Sequence, residues 1–177
     1  MENQLEQLLH LLESTTIPNT RKRPNILYDS AKEYTYYDKG KVKRILNIKK
    51  CRSMTFGFYK EFYKKDPQIK PLKNNTKYPH LYQELQKTMA LYDPTFDFDC
   101  ITLNKNVVTK PHKDIHNRGK SYILFLGDFE GGELLNTKGE VFDKPNIFYP
   151  FEGLVQHWNA PIKSGTKYSV IWFKRFM

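Results

Sequence analysis

Residues 111–117, PHKDIHN, pack two of the chain's five histidines beside an aspartate and an asparagine. In a β-strand alternate side chains share a face, so His112 and Asp114 are expected to point one way, with Lys113 and Ile115 turned the other. A histidine and a carboxylate two residues apart supply two neighbouring positions on a metal ion, and His157, in LVQHWNAP, is the candidate third ligand. Two imidazoles and a carboxylate on one triangular face leave the remaining coordination positions open, an arrangement suited to Fe(II). Zinc accepts the same donors, but an open zinc site then needs a hydrolytic partner group that the sequence does not display. His-x-Asp alone arises by chance in many chains, so the metal site needs support from elsewhere.

That support lies ten residues beyond His157. Lys167, Ser169, Ile171, Phe173 and Arg175 fall at strict period two, which predicts one face of a C-terminal strand. A cation and a hydroxyl side by side make a receptor for a carboxylate. Beside an Fe(II) triad the fitting cargo is 2-oxoglutarate, whose far carboxylate needs such an anchor. Asn104 and Asn106 of NKN, and Arg52 of CRSMTFG, are weaker candidates to approach a cofactor or substrate.

The elements that position these residues follow from the apolar pattern. Leu5, Leu8, Leu9 and Leu12 fall at i, i+3, i+4, i+7, predicting an amphipathic helix that ends before Pro18 rather than a secretory leader. Residues 19–50 read as loop with one or two short strands, and SMTFGFYKEFY as a strand broken at Gly57. Pro79 opens a second helix with Leu81, Leu85, Thr88 and Tyr92 on one face. From residue 96 the texture changes to short β segments: FDFDCITL, SYILFLG, GGELLN, EVFD, NIFYPF and KYSVIWFKRF. Segments of this length and spacing predict an antiparallel sandwich or barrel, with the helical first half packed on it. One domain over 1–177 is expected, with a helical and basic part over 1–95 and a β core holding the metal site over 96–177.

Aromatic residues make up 15% of the chain, which argues for an ordered core. No apolar stretch approaches the roughly 18 residues a membrane span needs. Cys51 and Cys100 have no paired spacing, and two reduced cysteines in an intracellular, monomeric protein are expected. The net charge is +10, and residues 20–77 alone carry +12, from 17 Lys and Arg against 5 Asp and Glu. A basic block interleaved with Tyr and Phe suits contact with a phosphate backbone, and DNA is the expected partner.

Taken together, His112-x-Asp114, GDFEGGEL, His157 and GTKYS resemble the layout of the 2-oxoglutarate/Fe(II)-dependent dioxygenases. More narrowly, HKDIHN followed by LGDFEGGEL is similar to the TET/JBP branch, which oxidises the 5-methyl group of pyrimidines in nucleic acid. The resemblance covers roughly residues 51–177, with specific motifs from about 101 onward. It implies an α+β chain with a mainly β core, a double-stranded β-helix (jelly roll) with N-terminal helices on its outer face. It also implies Fe(II) bound by His112, Asp114 and His157, with 2-oxoglutarate and O2 as co-substrates. Lys167 then stands where the family usually has an arginine gripping the oxoglutarate carboxylate, with Ser169 assisting. Asn117 matches a residue that hydrogen-bonds a flipped base, Phe173 an aromatic that stacks on it, and Arg175 a base-contacting histidine.

Two departures from the family pattern bear on function. Lysine is a point charge without the bidentate fork of arginine. Arginine only donates hydrogen bonds where histidine also accepts, which leaves 5-methylcytosine and thymine both open as the base. His116 is expected to support its loop. An AlkB-like demethylase or a protein hydroxylase would share the scaffold, but the basic block favours nucleic acid. A binding module with a vestigial barrel is disfavoured by the intact triad.

Overall fold

The computed structural model describes residues 1–18, 25–27, 34–38, 41–45 and 52–176. Helix α1 (Glu2–Ser14) is followed by three short strands, β1 (Ile26–Leu27), β2 (Tyr34–Asp38) and β3 (Lys41–Ile45). Next come β4 (Arg52–Lys60), β5 (Ile69–Pro71), a one-turn helix α2 (Asn74–Lys77) and helix α3 (Pro79–Tyr92). The remainder is β: β6 (Cys100–Lys105), β7 (Val108–Thr109), β8 (Arg118–Leu126), β9 (Phe129–Gly131), β10 (Leu134–Asn136) and β11 (Val141–Phe142). It ends with β12 (Phe148–Phe151), β13 (His157–Asn159), β14 (Ile162–Gly165) and β15 (Tyr168–Lys174). Among the described residues no helix is long and apolar enough to cross a membrane.

Among the described residues the largest sheet is antiparallel with the order β12-β8-β15-β6-β4-β5. The layer across the barrel is made of shorter pieces, β11-β10-β13 and the pair β14-β9. Ile123 and Phe125 of β8 close the interior against Leu134, Phe142 and Phe151. The outer face of the same sheet is covered by helices. Leu5, Leu8 and Leu12 of α1 and Leu81, Leu85 and Met89 of α3 pack on Tyr122, Leu124, Val170 and Trp172. This is the predicted α+β jelly roll, with its N-terminal helices on the outside of the barrel.

The sandwich position explains why SYILFLG reads as unbroken apolar sequence. Its odd and even residues are both buried, one set against helices and the other against the barrel. The helices are tied down by polar contacts as well. Trp172 Nε1 donates to Leu85 O at 3.1 Å, and Gln4 Nε2 donates to Glu84 Oε2 at 2.8 Å and Thr88 Oγ1 at 3.1 Å.

The structure differs from expectation in three places. Strand β4 runs through Gly57 instead of breaking there. A Cβ at Gly57 would lie 2.0 Å from Asp99 O, and its φ of +102° suits glycine, so the residue permits a close strand approach. Asn75 brackets the same residue, accepting from Gly57 N and donating to Gly57 O, each at 2.8 Å. In α3 Met89 takes the fourth buried position, while Tyr92 is half exposed and stacks on Phe148 with 4.0 Å between ring centres. Residues 19–50 hold three short strands among their described residues, one more than the upper expectation.

Candidate functional site

The two histidines meet through their backbones. His112 N donates to His157 O at 3.0 Å and His157 N to His112 O at 2.9 Å, an antiparallel bridge that ties the heptapeptide to β13. Each ring is then fixed by its own chain. Nδ1 of His112 lies 2.7 Å from Lys110 O, and Nδ1 of His157 lies 2.7 Å from Val155 O. These carbonyls take up Nδ1 of each ring, which leaves Nε2 as the nitrogen turned toward the Asp114 carboxylate and a metal. The Asp114 carboxylate closes the triangle, with Oδ1 3.7 Å from His112 Nε2 and Oδ2 3.4 Å from His157 Nε2. The three ligand atoms all lie within 4.8 Å of one another.

Asp114 reaches this position by a route other than strand alternation. Past His112 the chain leaves the bridge and turns: Asp114 N donates to Gly153 O at 2.7 Å, and Asn117 N to Asp114 O at 3.0 Å. Gly153 makes the approach possible, since a Cβ there would sit 3.0 Å from Asp114 Cβ and 3.3 Å from Oδ2. The turn also corrects the expectation that Lys113 and Ile115 face away. Both join the mouth of the cavity, because two-residue alternation ends where extended backbone ends.

The triad opens on a cavity of about 480 Å3. Ile123, Leu134, Phe151 and Ile171 give it apolar walls, and the Phe151 ring meets His157 edge to face at 4.8 Å. Ser169, Phe173 and Arg175 of the period-two face line it, as does Asn117. Asn104 lines it too, beside Ser169 in the β6–β15 register, and its buried Oδ1 has no hydrogen-bond partner among the described residues. Asn106 and Arg52 have other tasks. Asn106 Oδ1 accepts from Lys167 N at 2.8 Å, and Arg52 Nη1 donates to Ile17 O at 2.9 Å.

Arg175 is positioned by Asp99, a residue that periodicity gave no reason to single out. The Asp99 carboxylate accepts from Arg175 N at 2.8 Å and from Phe176 N at 2.7 Å, fixing the chain where it leaves β15. Cys100, next in sequence, is buried, and burial pushes its thiol up to about 12, so it stays protonated. Cys51 lies outside the described residues.

Lys167 does not line this cavity. It immediately precedes β15 and is buried, with Nζ donating to Gly132 O and lying 3.9 Å from the centre of the Phe125 ring. Gly132 leaves the space for this stem, because a Cβ there would fall 3.2 Å from Lys167 Cδ. Burial pushes the ammonium down to about 7, while the charges of Glu133 and Asp143 pull it partly back up. A cation held this way is poised to gain from an anion that reaches it.

Of the basic block, residues 20–24, 28–33, 39–40 and 46–51 lie outside the described residues. Its described members divide. Lys64 and Lys70 pair with Glu61 at 3.0 and 3.2 Å, whereas Lys60 lines a second, smaller cavity that adjoins the first.

Compared by sequence, the chain matches no family model and no curated protein. Its fold matches solved structures. It is similar to NgTET1 in complex with 5mC DNA at a TM-score of 0.50 and 17% identity, over 70% of this chain and 60% of that one. It is also similar to an oxidoreductase of the 2OG-Fe(II) oxygenase family from Burkholderia pseudomallei, at a TM-score of 0.50 and 13% identity, over 97% of this chain and 77% of that one. The chain thus has the double-stranded β-helix of 2OG-Fe(II) oxygenases and spans about 60% of the length of NgTET1.

Proposed function

We propose that this protein is a 2-oxoglutarate- and Fe(II)-dependent dioxygenase that hydroxylates the 5-methyl group of 5-methylcytosine in DNA, giving 5-hydroxymethylcytosine. The observation that carries this reading is the His112–Asp114–His157 triangle. It opens on a cavity that is also lined by an aromatic ring, a guanidinium and carboxamides. The donor set fits Fe(II): two Nε2 atoms and a carboxylate converge, and backbone carbonyls take up Nδ1 of both rings. Fe(II) with 2-oxoglutarate and O2 supplies the oxidising power that an inert methyl C–H requires.

The chain's own residues do the rest. Ser169 and Asn104 give the cavity a hydroxyl and, among the described residues, an unpaired carboxamide oxygen. A dicarboxylate seated there exchanges the Gly132 carbonyl for its own carboxylate at Lys167 Nζ. Ile123, Leu134 and Ile171 exclude water around its carbon chain. A methyl group inside a duplex cannot reach the triad, so the base has to be extruded. Phe173 offers a face for stacking, and Asn117 and Arg175 reach its polar edge. The similarity of the fold to NgTET1, a protein seen with 5mC DNA, supports the choice of substrate, as does the charge of residues 20–77.

The test is incubation with Fe(II), 2-oxoglutarate and DNA containing either 5-methylcytosine or thymine as its only 5-methylpyrimidine, followed by mass spectrometry of the nucleosides. 5-Hydroxymethylcytosine is expected, and His112→Ala is expected to abolish it. Product from the thymine DNA alone would move the assignment to a thymine hydroxylase. Succinate formed with neither product would remove 5-methylpyrimidines as the substrate.

A further inference from the structure

The second cavity, about 320 Å3, shares Ile115, His116, Asn117 and Arg175 with the first, so the two form one continuous depression. Its own contribution is Lys60, Phe62, Arg118 and Phe176. No carboxylate is present among its described lining residues, while three permanent cations and an imidazole are. Its floor is aromatic: Phe62 is 65% exposed, lies 6.4 Å from Phe176 between ring centres, and has Lys60 Nζ 5.8 Å from its own centre. A phenylalanine ring held this far into solvent, with a lysine ammonium beside it, has no evident role in the core.

We propose that this groove holds the nucleotide adjoining the one being oxidised, its phosphate between Lys60 and Arg118 and its base against Phe62. The proposal rests on the polynucleotide substrate argued above and adds where the strand runs after leaving the cavity. Single-stranded nucleic acid is held elsewhere by this pairing of basic groove and stacking ring, which tolerates any base because every base has a π-face. An extruded nucleotide keeps its covalent neighbour within one phosphate of itself, and the shared wall at Asn117 and Arg175 gives the groove that proximity. The arrangement also assigns His116, which is exposed and lines both cavities, to the strand path.

The test is binding alone, by fluorescence anisotropy of the metal-free 177-residue chain with a labelled duplex carrying one 5-methylcytosine, across a range of salt. Lys60→Gln with Arg118→Gln is expected to weaken binding about tenfold or more. It should also reduce the slope of log affinity against log salt by about 2, one for each lost phosphate contact. Phe62→Ala is expected to weaken binding about tenfold while leaving the slope unchanged. A control of equal charge loss, Lys87→Gln with Lys144→Gln, removes lysines that line neither cavity and should leave the slope unchanged. Should the double variant melt early, Arg118→Gln alone, at an exposed position, is expected to reduce the slope by about 1. Lys60→Gln with Arg118→Gln showing the slope of the control overturns the proposal. So does displacement of the duplex by polyglutamate as effective as by unlabelled DNA, which would show a surface for any polyanion. Groove-dependent binding without any oxidation would sink the dioxygenase reading and keep the groove; oxidation with groove-independent binding would do the reverse.

Discussion

The two faces of strand β15 are formed by alternate residues of one seven-residue segment, yet they are built differently. Tyr168, Val170 and Trp172 point at the helices and are 2% exposed or less. Ser169, Ile171 and Phe173 point into the cavity, and each keeps part of its surface accessible. The helix side contributes stability through apolar burial and one buried hydrogen bond from Trp172. The cavity side turns a hydroxyl and an aromatic ring toward open space. Because a strand separates its faces at every residue, substitutions on one side are expected to change folding and those on the other to change binding, with little crossover.

The largest expected effect comes from breaking the helix side. Trp172→Ala should destabilise the fold by about 3–5 kcal/mol, through lost burial and a cavity beneath α3. Chemical denaturation checks this, and a loss below about 1 kcal/mol would show that the helices are not held by this face. Asp114→Ala should do the opposite, leaving the metal-free denaturation midpoint nearly unchanged. Fe(II) affinity should fall at least about 100-fold, since losing a ligand costs more than losing a group that supports one. Titration calorimetry under anaerobic conditions separates the two readings. Phe173→Ala should weaken capture of the methylated base by about 1–3 kcal/mol, seen as a raised KM for DNA with the 2-oxoglutarate KM unchanged. An unaltered KM for DNA would move base stacking to another ring.

The same contrast explains what could be read from sequence. The triad was legible because His-x-Asp and a distant histidine are chemically unusual, and the period-two residues after Lys167 because a strand alternates regardless of its neighbours. Leu5, Leu8 and Leu12 were legible for the same kind of reason. What stayed hidden depends on approach between distant segments. Gly57 looked like a break in the strand because its reason, the Asp99 carbonyl 2.0 Å from a hypothetical Cβ, lies on a distant segment just before β6. Gly153 and Asp99 position Asp114 and Arg175 through backbone contacts that no periodicity records. Lys113 and Ile115 line the cavity that alternation turned them away from, because extended pairing stops at His112 and the chain turns at 115–116. Short strands such as β13 and β14 exist through their pairing partners rather than their own composition.

Lys167 falls between the two classes: it lies on the line of the cavity face, yet it is buried as deeply as the helix side. Its ordinary value of 10.5 is lowered by burial to about 7. In the ligand-free protein the burial cost of the charge is therefore fully present below about pH 7. It is progressively relieved between 7 and 10.5, where the unfolded chain binds a proton that the native state does not. Stability from this group rises with pH across that window, so Lys167→Met should stabilise the protein more at pH 6 than at pH 9. A bound carboxylate reverses the preference, because its charge favours the ammonium. Above about pH 7, oxoglutarate binding then requires uptake of a proton, and its KM should rise by up to about tenfold per pH unit. Lys167→Gln should show a high KM that no longer depends on pH in this way. Measuring the KM for 2-oxoglutarate from pH 6.5 to 8.5 in both proteins decides the matter. A flat profile in the unmodified protein would mean that the carboxylate stops at Ser169 and Asn104 and never reaches the buried amine.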